Sequence, residues 1–146
     1  MPNKNQVPSP VKKIHHIGIA VTQLESASAV YGELFGLRAG PIIELENLGI
    51  RGCFIPIGET NLELLESTHQ FSEISKFINS HGEGLHHICF EVSNVGECLT
   101  NLDMKGIALK DKEPRPGLAG GLIGFLESSV SNEVLIEISQ HQASGE

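Results

Sequence analysis

Part of this chain is written twice. Residues 14–21 contain His15-His16-Ile17 and close on Val21; residues 84–92 contain His86-His87-Ile88 and close on Val92, each match 71 positions on. Phe54 and Phe125 keep that offset, whereas Leu62-Glu63-Leu64 and Ile136-Glu137-Ile138 lie 74 apart. A repeat of this length marks two copies of one supersecondary unit, and it restricts the fold before any single residue is considered.

Each copy reads as strand, helix, then three strands. In residues 13–21, side chains alternate between faces. His16, Gly18 and Ala20 share a small face suited to admitting a ligand; His15, Ile17, Ile19 and Val21 share the other. Thr22 with Glu25 three residues on matches a capping box. Leu24, Ala27, Val30, Tyr31 and Leu34 then recur at helical spacing, and Gly36 marks the stop. Strands are expected over 39–45, 50–57 and 62–66, with a turn at 58–61. The linker, 67–84, holds a short helix with Phe71, Ile74, Phe77 and Ile78 as its apolar stripe. The second copy follows with a strand at 85–92, a helix at 95–104, a strand at 107–111, a Pro/Gly-rich loop at 113–121, and strands at 122–126 and 134–139. The fold class expected is α+β: two βαβββ modules, about 12–66 and 85–139, forming one curved mixed sheet with helices outside. Residues 1–11 and 141–146 read as polar tails around a single domain at 12–140.

Composition narrows the function. Ten basic residues against 18 acidic give a net charge of −8, which argues against nucleic acid as a partner. No stretch approaches the ~18 apolar residues of a spanning helix, and residues 1–10 lack the apolar core of a signal peptide, so a cytoplasmic location is expected. Cys53, Cys89 and Cys98 have no metal-knuckle spacing and read as small buried hydrophobes of a reducing compartment.

Four residues stand at matching places in matching strands: His16, Glu63, His87 and Glu137. Glu63 and Glu137 each sit between apolar neighbours on strands expected to be interior. A carboxylate buried there without a partner is expensive, and a divalent cation would remove that cost. Two imidazoles and two carboxylates suit Co²⁺, Ni²⁺, Mn²⁺ or Zn²⁺. The other reading is hydrogen-bonded core histidines, and spacing alone leaves both open. His15 and His86 are expected on the opposite face in structural roles, and His69, His81 and His141 in solvent.

Several stretches together resemble a known family. They are 16–21, 62–66, 74–77, 82–88, 113–117 and 135–138, and over roughly residues 12–140 they resemble the vicinal-oxygen-chelate superfamily, the glyoxalase/bleomycin-resistance fold. Within it the chain is similar to the methylmalonyl-CoA epimerase family, through Gly82-Glu83-Gly84-Leu85-His86-His87-Ile88 and Glu113-Pro114-Arg115-Pro116-Gly117 in particular. The resemblance implies that His16, Glu63, His87 and Glu137 hold one divalent metal. It implies interconversion of the 2R and 2S forms of methylmalonyl-CoA through a metal-stabilised enolate, an acyl-CoA substrate and a homodimer. Lys112 and Arg115, beside the proline-rich loop, are candidates for the CoA phosphates or else solvated charges. Some epimerases carry a glutamate base in the third strand where this chain has Gly52, so Glu63 and Glu137 are expected to serve as both ligands and bases. The alternatives are a lactoylglutathione lyase, with the same fold and ligands, and a ligand-sequestering resistance protein, which would need no metal. A 2-His-1-carboxylate dioxygenase would leave the second carboxylate unused.

Overall fold

The structure, a computed structural model, describes residues 9–141; the tails expected at 1–11 and 141–146 fall largely outside the described residues. Contacts divide the chain into two compact units, one spanning His15–His87 and the other combining the residues before His15 with those from Ile88 on.

The first unit follows the order β1 (Lys13–Ala20), α1 (Leu24–Phe35), β2 (Ile43–Leu45), β3 (Ile50–Ile57), β4 (Thr60–Ser67), α2 (Glu73–His81), ending in β5 (Gly84–Glu91), whose second half belongs to the other unit. β3 and β4 form an antiparallel hairpin and β2 pairs with β3. β1 pairs with β4 in parallel, Gly18 opposite Glu63. A parallel pair needs a crossover, and α1 supplies it. Alternation then sorts the faces. Leu64, Cys53 and Ile55 turn to a core closed by Leu24 and Val21, with Ala27 and Tyr31 packed on it. Val30 and Leu34, expected in the same stripe, are exposed: α1 meets the sheet along a narrower line than its sequence pattern suggests.

The start of α1 departs from expectation. Its N-cap is Gln23, without a side-chain cap. Thr22 donates its N–H and hydroxyl to Glu83, at 2.7 and 2.8 Å. The Leu24 N–H goes to Glu66 at 2.7 Å. Glu25 is drawn instead to Arg51, 2.7 Å away, and that contact holds its carboxyl below the usual range. Long-range carboxylates therefore satisfy the helix N-terminus that a local capping box was expected to serve. The two Thr22 bonds likewise hold the Glu83 carboxyl below its ordinary value. At the other end, Gly36 takes a left-handed conformation with φ 69°, closing the helix as expected.

The second unit runs from β5 through α3 (Val95–Met104), β6 (Arg115–Pro116), β7 (Leu122–Phe125) and β8 (Ile136–Gln140). β5 pairs with β8 in parallel, and β8 with β7 and β7 with β6 antiparallel. α3 begins under Asn94, whose Oδ1 takes the Glu97 N–H at 2.9 Å, and the Val95 N–H is met by Gln140 at 2.7 Å. Val92, Val95, Leu99 and Ile138 form its core. The strand expected at 107–111 is absent. Only Leu109 bridges to Leu126, because the N–H groups of Lys110 and Asp111 both converge on the Phe125 carbonyl and no ladder can propagate. The module's second strand is instead the two-residue β6, inside the expected loop. β8 starts two residues later than expected, after a 3-10 turn at Ser128–Ser131. Both units nonetheless follow the expected βαβββ order with mixed pairing. Among the described residues no helix is long and apolar enough to cross a membrane.

Candidate metal centre

β1, β4 and β5 bring three of the expected ligands together in the first unit. Leu62 and Leu64 belong to the core, so Glu63 must project from the other face of β4. His16 projects from the same side of β1, and His87 from β5. The three side chains are buried, with 3, 5 and 4 % of their surface exposed for His16, Glu63 and His87. Their donor atoms converge: His16 Nε2 lies 3.0 Å from His87 Nε2, and Glu63 Oε1 lies 3.4 and 3.3 Å from the two nitrogens.

This geometry fits a metal ion. Ligand bonds of about 2.1 Å set neighbouring donors about 3.0 Å apart at a right angle and about 3.4 Å apart at a tetrahedral angle. The three separations fall on that span. Two imidazole lone pairs pointing at each other in a buried site repel unless a proton or cation stands between them, and the facing carboxylate favours a cation. The donor set suits borderline and hard divalent ions.

Gly18 owes its place to His87. A Cβ there would lie 2.1 Å from Cε1 and 2.3 Å from Nδ1 of the imidazole. The small face read from the sequence is thus the bed of a ligand ring. Phe54, opposite Glu63 on β3, packs edge-on to His16 with centroids 5.6 Å apart.

Strand alternation directs the Cβ atoms of His15 and His86 to the face opposite His16 and His87. Here His15 Nδ1 stands 2.7 Å from His16 Nδ1, and His86 Nδ1 stands 2.8 Å from His87 Nδ1. A strand's alternation fixes where a Cβ points; two side-chain torsions still allow neighbouring rings to meet edge-on, as these do.

Glu137 lies in the second unit, on β8, 5 % exposed. Its register there repeats that of Glu63: Glu137 faces Cys89 across the parallel pair and Phe125 across the antiparallel one, as Glu63 faces Gly18 and Phe54. Lys112 is exposed. Arg115 is half-buried, its Nε 3.1 Å from Asp111 Oδ1 and its guanidinium 5.4 Å from the Phe125 ring centre. An open groove of about 430 Å³ beside α1, lined by Ile19, Thr22, Tyr31 and Glu83 among others, includes none of the three donors.

Comparison with known proteins gives the family. Residues 15–125 match the model of the Glyoxalase/Bleomycin resistance protein/Dioxygenase superfamily. The chain is 32 % identical to the mitochondrial methylmalonyl-CoA epimerase of Bos taurus over 88 % of its own length and 74 % of the relative's. It is 31 % identical to the ethylmalonyl-CoA/methylmalonyl-CoA epimerase of Cereibacter sphaeroides over 89 % of its length and 98 % of the relative's. A solved methylmalonyl-CoA epimerase in complex with methylmalonyl-CoA and NH4+ superposes with TM-score 0.87 at 31 % identity, covering 92 % of this chain and 97 % of that one. The chain therefore belongs to the glyoxalase/bleomycin-resistance/dioxygenase superfamily, with its α+β glyoxalase-like fold, as an isomerase-type member similar to methylmalonyl-CoA epimerases.

Proposed function

We propose that this chain interconverts the 2R and 2S forms of methylmalonyl-CoA, removing the C2 proton from one face and returning one to the other. The observation that carries the reading is the buried convergence of His16, Glu63 and His87, in a chain similar over nearly its whole length to epimerases of that name. His16 and His87 are its imidazole ligands and Glu63 a carboxylate ligand for Co²⁺, Ni²⁺, Mn²⁺ or Zn²⁺. Glu137 is the fourth ligand on the strength of the repeat. An ion held there would supply electrostatic stabilisation to the negative charge that develops on the substrate's thioester oxygen as the C2 proton leaves.

The chain's own residues then divide the remaining work. The histidines hold position and keep their protons away from the reacting carbon. Glu63, engaged through Oε1, keeps its second oxygen for a proton, and Glu137 has the equivalent role from the second module. Two bases are needed because epimerisation uses both faces of C2. Gly52, paired between Ile43 and Leu65, brings no acid or base of its own. Lys112 is proposed to meet the CoA phosphates; Arg115, already held by Asp111, shapes the loop beside it.

Glu63→Gln separates ligand from base. The amide oxygen can still meet the ion but accepts no proton as a carboxylate does. Epimerisation of either stereoisomer should fall by about 10²–10⁴-fold, the usual span of a general base, with bound metal retained. A variant that epimerises at near wild-type rate with its metal in place would show that the proton carrier lies elsewhere.

A further inference from the structure

Resting on the metal reading above, we infer that His15 and His86 are positioning residues: each accepts a hydrogen bond at Nδ1 from the neighbouring ligand histidine and so fixes which ring nitrogen of that ligand faces the ion. The same contact occurs twice. His15 and His16 meet Nδ1 to Nδ1 at 2.7 Å, and His86 and His87 do so at 2.8 Å. The rings are nearly perpendicular in both pairs, at 83° and 88°.

The proton inventory dictates the direction. A neutral imidazole has one N–H and one lone pair. The nitrogens that converge with Glu63 are the Nε2 atoms of His16 and His87, so each must present its lone pair there. Each Nδ1 then carries the proton and donates it. The partner Nδ1 on His15 or His86 must therefore be the acceptor, leaving those rings protonated at Nε2. A ligand histidine usually gives its outer N–H to a carboxylate, carbonyl or water, and losing that partner typically lowers metal affinity 10–100-fold. Here the acceptor is the residue immediately before the ligand in sequence. His86 is itself braced edge-on by Phe77 of α2, with centroids 4.8 Å apart. That fixes the acceptor as well as the donor.

The test uses the full-length protein and zinc. His15→Phe and His86→Phe keep a ring and lose the acceptor; His15→Asn and His86→Asn place an amide oxygen close to the position of Nδ1. Affinity is measured by competition with a fluorescent chelator. Each Phe variant should bind zinc about 10–100-fold more weakly, and each Asn variant should recover most of that loss. Equal affinity in the Phe variants, or Asn variants as weak as Phe, overturns the inference, because packing alone would explain the contact. Should a variant fail to fold, ¹⁵N NMR of the zinc-loaded wild type decides. His16 and His87 are expected protonated at Nδ1, and His15 and His86 at Nε2; a proton on Nδ1 of His15 or His86 overturns it. Wild-type protein that binds no divalent ion refutes the metal reading itself, a result distinct from all of these.

Discussion

Gly18→Ala probes the centre without removing a donor atom. The added methyl would sit 2.1 Å from Cε1, 2.3 Å from Nδ1 and 2.7 Å from Nε2 of His87. Carbon atoms in contact prefer about 3.5–4.0 Å, so the ring must retreat by roughly 1.5 Å. Metal–ligand distances tolerate only about 0.2 Å. His87 Nε2 then leaves the trio it forms with His16 and Glu63 at 3.0–3.4 Å. Metal affinity should drop by about 100-fold or more, since even outer-shell losses cost 10–100-fold. Overpacking should also cost the metal-free protein about 1–3 kcal/mol. The assay is chelator competition, with thermal melting of the metal-free protein beside it. His87→Ala supplies the control: with the ring gone, adding Gly18→Ala should change the melting temperature little. Gly18→Ala protein that binds metal as tightly as wild type, or that costs as much stability without the ring as with it, refutes the packing argument.

Two further predictions concern the scaffold. The Glu83 carboxyl is held below its ordinary value by the Thr22 N–H and hydroxyl, so it stabilises the fold above the unfolded value near 4.5 and loses that contribution as pH falls through the native value. Glu83→Gln should therefore melt below wild type at neutral pH, the difference shrinking in acid; a constant difference refutes the assignment. Leu99 is fully buried and packs so closely over Gly124 that a Cβ there would lie 2.8 Å from its Cδ1. Leu99→Ala should destabilise by about 2–5 kcal/mol in denaturant melts, and a loss under about 1 kcal/mol would show that this core collapses to fill the gap.

The repeat made most of the fold legible, because the same period-2 and helical patterns recur in both halves and constrain each other. It also located His16, Glu63 and His87: a polar side chain flanked by core residues on a strand has to face something built for it. What remained illegible depends on contacts distant in sequence. Thr22 and Glu25 have the form of a capping box, yet Glu83, Glu66 and Arg51 compete successfully for those groups. The stretch around Leu109 has strand composition, but both its N–H groups bond to one carbonyl and Asp111 takes the Phe125 N–H with its side chain, so the ladder stops at a single bridge. The part played by His15 and His86 was hidden for a different reason. Alternation reports the direction of a Cβ and not the reach of a ring.

Epimerisation requires proton exchange at C2 of methylmalonyl-CoA, and proton NMR in D₂O reads that exchange. With metal-loaded wild-type protein the C2 proton signal should vanish as the two stereoisomers equilibrate. The signal should persist with His16→Ala protein and with wild type stripped by a chelator. Succinyl-CoA, whose carboxylate and thioester stand one carbon further apart, should show no exchange. An unchanged methylmalonyl-CoA spectrum, alongside turnover of the glutathione hemithioacetal, would contradict the account and assign the site to the lyase reaction instead.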